Sequence, residues 1–239
     1  MKKVVIIGAT SGIGYELSKQ MKQKGYKVGG CGRREEILQK METDLTPGFI
    51  GQPIDIRETD TIEIKLNQLI NKLGGMDICI ISSGISEPNQ DLEWKLEENV
   101  FKTNILGFSA VAGFALHYFL NQNHGHLVGI TSLTKYFPNK TSPAYNASKI
   151  FESNYLDSMR YKMHGKNLYV TEICPGFVDT PMTSAFPKGI LWARPEQVAK
   201  GICKAIEKQK DVVYLPWFWS PIMGMLRALP EAIFKRLRL

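Results

Sequence analysis

The 239-residue chain is 44% hydrophobic and 22% charged, enough apolar material for a buried core, which argues against a disordered chain. Its net charge of +7 admits an anionic partner, but the lysines and arginines are spread along the chain. No nucleic-acid arm is therefore expected, and the anion to look for is a phosphorylated cofactor or an acidic membrane surface.

Strand and helix patterns alternate from the start, and the length suits one large α/β domain. Residues 4–7 (VVII) form a β-branched run ending at Gly8, the pattern of a strand buried on both faces. Two lysines precede it as in a secretory signal, but Gly8 and Thr10 cut the run short of the roughly 7–15 apolar residues such a signal needs. The segment reads as a strand and the protein as cytoplasmic. Ile13, Leu17 and Met21 recur every four residues on one face of a helix over 12–24, with Gly25 just past its end. A strand over 26–32 and a helix over 34–41 follow, then a strand over 49–54 and a helix over 59–73 with Ile62, Leu66, Leu69 and Leu73 on one face. Residues 77–82 are another apolar run, and a long helical region over 91–120 is expected to bend at Gly107. Strands over 127–131 and 168–174 enclose a helix over 144–163; a helix over 195–208 and a strand over 212–215 complete the pattern. Such alternation calls for a parallel sheet with helices on both faces.

Residues 216–239 differ in character. Trp217 and Trp219 open the segment, and Ile222, Leu226, Leu229, Ile233 and Leu237 form a stripe opposite Arg227, Glu231, Lys235 and Arg238. Pro230 predicts a break into two short helices, and the charges interrupt the segment before the ~20 apolar residues of a membrane span accumulate.

Gly8-Ala9-Thr10-Ser11-Gly12-Ile13-Gly14 follows a predicted strand and opens a predicted helix, the context in which a glycine-rich loop binds a nucleotide. The glycines allow a tight turn and a close approach, and the helix N-terminus offers N–H groups and partial positive charge to a pyrophosphate. The expected fold is thus a Rossmann-type doubly wound parallel sheet over residues 1–215, with an amphipathic helical extension over 216–239. An NAD site usually carries a carboxylate at the end of the second strand. Here that strand ends in Cys31-Gly32-Arg33-Arg34, and a guanidinium favours a 2′-phosphate. NADPH is therefore expected in preference to NADH.

Tyr145 and Lys149 are four residues apart at the start of a predicted helix, so both can face one cleft. A free tyrosine is a poor acid–base group at neutral pH, and a nearby ammonium favours its phenolate. Standing alone, such a pair also arises by chance as a plain helix-surface pair. Cys31, Cys79, Cys174 and Cys203 show no CxxC pairing and are expected to be buried free thiols. The histidines have no metal spacing, so no metal is expected, and His124 and His126 are read as surface residues.

Taken together, the GATSGIG loop, Asp55, the ISSG at 81–84, Asn104, Ser132, YNASK at 145–149 and PGFVDT at 175–180 stand in the order and spacing of a known family. The chain resembles the short-chain dehydrogenase/reductase family in its shorter form over about residues 2–215. The resemblance implies that Tyr145 exchanges a proton with the substrate oxygen and that Ser132 hydrogen-bonds that oxygen. It further implies that Lys149 lowers the tyrosine pKa and binds the nicotinamide ribose, while Asn104 holds a water of a proton relay. The cofactor contacts it implies are Gly8, Thr10, Ser11, Gly12, Ile13 and Gly14 at the pyrophosphate, and Arg33 and Arg34 at the 2′-phosphate. Asp55 and Ile56 fall at the adenine, Ser83 and Gly84 along the adenosine ribose, and Pro175, Gly176, Val178 and Thr180 at the nicotinamide. Ile7 and Ile81-Ser82-Ser83-Gly84 depart from the family's usual Thr and Asn-Asn-Ala-Gly, which predicts local adjustment in the adenosine pocket.

The expected substrate walls are Leu133, Phe137, Phe177, Met182, Phe186 and Trp192, which favour a lipophilic, small-molecule carbonyl or alcohol. The tail could cover that cleft, bury a homodimer or homotetramer interface, or lie on a membrane surface, with packing against protein preferred. Two alternatives to a carbonyl reductase are weighed. A non-catalytic NADP sensor does not need the intact Ser132, Tyr145, Lys149 and Asn104, and a sugar-nucleotide epimerase or dehydratase needs a larger C-terminal region.

Overall fold

The apolar run at the N-terminus has no polar face to show to water, and it becomes the centre of a sheet. In the computed structural model, which describes residues 1–137 and 140–227, strand β1 (Lys3–Ile7) pairs in parallel with β2 (Lys27–Gly32) on one side and β4 (Ile78–Ile81) on the other. With β3 (Phe49–Pro53), β5 (Gly125–Ile130), β6 (Leu168–Pro175) and β7 (Val212–Leu215), the sheet runs β3-β2-β1-β4-β5-β6-β7. Successive side chains of β1 point to opposite faces. Val5 and Ile7 join one core with helices α3 (Thr59–Leu73), α5 (Phe108–Gln122) and α6 (Pro143–Met163). Val4 and Ile6 join another with α1 (Gly12–Gln23), α2 (Glu35–Asp44) and α7 (Pro195–Glu207). This is the doubly wound α/β arrangement expected, and its connections diverge between β1 and β4, where open sheets of this type bind ligands.

Most element ends fall within three residues of expectation. The long helix differs: α4 (Trp94–Phe101) leads into a widened π-helical turn, Lys102–Gly107, before α5 begins. The bend expected at Gly107 is replaced by this turn, which presses Gly107 against the Ile56 carbonyl so closely that a Cβ there would lie 2.6 Å from that oxygen. Residues Trp94–Gln122 are long and apolar enough to cross a bilayer by length and composition, yet half of the apolar window is buried, so this is a core helix. Strand β5 begins at Gly125, two residues before its expected start, and this corrects the reading of His126. Lying between β4 and β6, His126 is 6% exposed, with a ring nitrogen 2.7 Å from Thr171 Oγ1; His124 is exposed. All four cysteines are buried and free.

The described part of the tail forms α8 (Trp219–Arg227), whose Trp219 and Met223 are buried with Leu133 and Cys174. The expected break at Pro230 and the stripe beyond it lie outside the described residues.

Candidate active site

The loop after β1 is shaped by backbone contact. A Cβ on Gly8 would lie 2.6 Å from Ser83 N, and one on Gly14 would lie 2.2 Å from the Gly8 carbonyl oxygen. These clashes leave glycine as the residue that lets α1, the loop and the end of β4 close on one another. Ser11 caps α1 in extended conformation without a side-chain capping bond, and no acidic residue lies in the first turn. The positive end of the helix therefore faces the cleft without a competing carboxylate. At the strand ends, Ser82 N–H donates to Ile7 O at 2.8 Å.

The cleft, about 390 Å³, opens at the ends of β1 and β4 and takes in every expected cofactor position except Gly14. Gly14 packs one layer behind it. The residues present fit a dinucleotide: Ser83 Oγ is buried with no hydrogen-bond partner, an acceptor and donor beside the place expected for a ribose. A Cβ on Gly12 would come within 3.2 Å of Thr180 Cγ2, so the loop and the segment after β6 face each other closely. At the outer end, Arg33 is exposed and Arg34 donates to Thr10 Oγ1 at 2.9 Å. Asp55 is engaged by Arg57, with Nη2 to Oδ2 at 2.6 Å; hydrogen bonding from this guanidinium holds its carboxyl below the ordinary range. Arg57 was not among the expected residues, although its position two residues after Asp55 was the available signal.

The inner end of the cleft is built by β5 and α6. Ser132 follows β5 and caps the 3₁₀ turn Leu133–Tyr136, its oxygen accepting from Thr134 N–H at 3.2 Å. Pro143 starts α6, a position where its missing N–H costs nothing. Tyr145 is half-buried and lines the cleft; Lys149, 4% exposed, lies one turn on with Nζ 5.5 Å from the Tyr145 ring centroid. The ammonium donates to Glu152 Oε1 at 2.9 Å and Oε2 at 2.8 Å, and lies 3.4 Å from the Ile130 carbonyl oxygen. Burial opposes the charged form of Lys149, but Glu152 and Tyr145 outweigh it, and the pKa stands above the ordinary lysine value. Burial pushes Glu152 up to about 7, against the pull of Lys149 and with added repulsion from Glu172.

Asn104 does not line the cleft. It is fully buried in the π-helical turn, accepts from Ile85 N–H at 2.9 Å, and donates to Ile85 O and Ser148 Oγ, each at 2.9 Å. Both side-chain N–H groups are thus spent on tying the loop after β4 to α6.

A second buried ion pair supports this end of the site. Lys135 Nζ lies 2.6 Å from Glu172 Oε1, with side chains 7% and 1% exposed. Thr131 Oγ1, next to Ser132, donates to the same carboxylate at 2.7 Å, and Lys135 also donates to Ser153 Oγ at 2.8 Å. The sequence offered no spacing signal for a pair that joins residues from the 3₁₀ turn and β6.

On the substrate side, Phe177 and Trp192 stack with centroids 5.4 Å apart, and Trp219 meets Phe177 edge-on at 5.7 Å. Phe177, Met182 and Phe186 are each about half exposed. Leu133, expected in this wall, is instead 5% exposed in the cluster under α8, because the 3₁₀ turn directs it inward. Phe137 packs against the same cluster. No group of three potential metal ligands occurs among the described residues.

The family model described as short chain dehydrogenase matches residues 2–190. An uncharacterized oxidoreductase of Myxococcus xanthus is 28% identical over 240 residues, 98% of this chain and 94% of its own length. Among solved structures, the closed form of a serine dehydrogenase complexed with NADP+ is 26% identical with a TM-score of 0.78, over 85% of this chain and 88% of that one. A 7β-hydroxysteroid dehydrogenase reaches a TM-score of 0.86 over 99% and 96% of the two chains; at 21% identity it shows the fold alone.

Proposed function

This chain belongs to the short chain dehydrogenase family and is an oxidoreductase of it, and from that premise we propose that it interconverts a lipophilic carbonyl compound and its alcohol with NADPH. The observation that carries the reading is the meeting of Ser132, Tyr145 and Lys149 at the inner end of the dinucleotide cleft. NADPH, when bound, supplies the hydride that forms the new C–H bond at the carbonyl carbon. Tyr145 donates the proton that forms the O–H bond as the carbonyl π bond breaks, and accepts it in the reverse direction. Ser132 Oγ hydrogen-bonds the same oxygen and stabilises its developing negative charge. Lys149 favours the phenolate by its charge. Asn104 positions Lys149 through Ser148 and the Ile85 loop.

Arg33 and Arg34 at the outer end support NADPH, since a guanidinium attracts a 2′-phosphate. The NADP+ in the serine dehydrogenase complex agrees with that choice. For the substrate, the stacked Phe177 and Trp192 and the half-exposed Met182 and Phe186 favour an apolar carbonyl compound over a small hydroxy acid.

The test is an NADPH-oxidation screen over ketones, aldehydes, 3-oxoacyl thioesters and sugars, run in parallel with Tyr145→Phe. Turnover of an apolar ketone or aldehyde, lost in the variant while NADPH binding persists, is expected. Near-wild-type turnover by Tyr145→Phe would sink the assignment.

A further inference from the structure

Glu152 has no part in the proposed reaction, yet it is the closest charged group to Lys149. It lies three residues later on α6, is fully buried, and brings both carboxylate oxygens within 2.9 Å of the ammonium. An ammonium has three N–H donors, and Glu152 with the Ile130 carbonyl meets that capacity. On an exposed helix face an i,i+3 pair contributes little. Here the two side chains are 5% and 0% exposed, so each ion holds the other in place.

The other charges around Glu152 come from every side of α6. Tyr145 and Lys149 share its helix, Glu172 approaches from β6, and Lys135 from the 3₁₀ turn offsets Glu172. The Lys149–Glu152 pair carries no net charge when both groups are ionised. The positive field that reaches the Tyr145 ring, 5.5 Å from Nζ, is then that of a dipole and not of a free cation.

Building on the role assigned above to Tyr145, we propose that Glu152 is a positioning residue of the Tyr145–Lys149 pair: its carboxylate holds the ammonium in place and offsets part of its charge, and so governs how readily the pair gives up a proton. The two groups stand 5.5 Å apart, and removing an anion beside them makes a proton easier to lose whichever group releases it. Cofactor binding adds a consequence. If Lys149 turns to the ribose hydroxyls, it must release a bond to Glu152 or Ile130.

The test needs no substrate. Tyrosinate absorbance is titrated with pH in the full chain, and the same titration of Tyr145→Phe is subtracted to isolate Tyr145. Glu152→Gln is nearly the same shape and removes the charge; it is expected to move the Tyr145 transition down by about one pH unit or more, a tenfold change in proton affinity. Glu152→Asp, which keeps the charge, is expected to restore most of the shift, whereas a purely structural role would leave it no better than Gln. Far-ultraviolet circular dichroism checks folding, and if the Gln variant does not fold, the comparison of wild type with the Asp variant, read together with Lys149→Met, carries the test. A Tyr145 transition unmoved in a folded Glu152→Gln overturns the proposal. Activity retained in Tyr145→Phe instead overturns the proposed function, so the two failures are told apart.

Discussion

Replacing Lys135 by methionine removes the ammonium from a pair in which Glu172 is 1% exposed and 2.6 Å away. The carboxylate is then left in the interior with the Thr131 hydroxyl at 2.7 Å as a remaining partner. Breaking a buried pair from one side costs about 3–5 kcal/mol, and one retained neutral hydrogen bond returns about 1 kcal/mol. The net loss is therefore expected near 3 kcal/mol, a large share of the ~5–15 kcal/mol that holds a domain together. In a domain of this size it lowers Tm by about 6–12 °C. Urea unfolding followed by tryptophan fluorescence measures it. The double variant Lys135→Met/Glu172→Gln removes the stranded charge and is expected to recover more than half of the loss. The pH dependence has a definite sign. Despite burial, Lys135 and the hydroxyl donors hold Glu172 below the ordinary carboxyl range, so its contribution is full above that range and fades as pH falls through the depressed value. In Lys135→Met only the hydroxyl donors still oppose burial, so Glu172 takes up its proton more readily than in wild type and the gap to wild type narrows on acidification. A single variant within about 1 kcal/mol of wild type, or a double variant no better than the single, would refute the reasoning.

Three further outcomes are expected. Gly14→Ala places a methyl group 2.2 Å from the Gly8 carbonyl oxygen; the overpacking costs about 1–3 kcal/mol. Where that strain falls on the nucleotide loop, NADPH Kd rises by about tenfold, as read by fluorescence titration, and an unchanged Kd counts against the loop's role. Burial, with the charge of Lys2 assisting, lowers the His126 pKa from 6.5 to about 4. The unfolded chain then binds the proton first, stability is full above pH 6.5, and about 3 kcal/mol is lost as pH falls to 4. In urea titrations, His126→Gln should lose this part of the acid sensitivity. Arg33→Asp should cut the ratio of NADPH to NADH affinity by at least about tenfold, and an unchanged ratio rejects Arg33 as a phosphate contact.

What could be read from the chain alone was what local pattern controls. The β-branched run at residues 4–7, the glycine loop and the four-residue periodicity of α1 and α3 depend on sterics and on burial of one face, so their order and bounds were legible. The Tyr145–Lys149 pair was legible because helical spacing puts the two residues on one side of α6. His126 was misread because polarity suggested surface, whereas its strand lies between two neighbours that leave no room for water.

The glycine loop and the Tyr145–Lys149 pair were therefore determined by sequence, since short-range geometry fixes both. The tertiary structure decided which groups surround them. Glu152 stands only three residues from Lys149, but its importance comes from burial by the sheet and the neighbouring helices, which turns an ordinary i,i+3 spacing into a paired charge. Lys135 and Glu172 come from separate elements, and Asn104 finds Ile85 and Ser148 across the π-helical turn. Electrostatic strength depends on the local dielectric and on distances between distant segments, and neither quantity exists until the chain has folded.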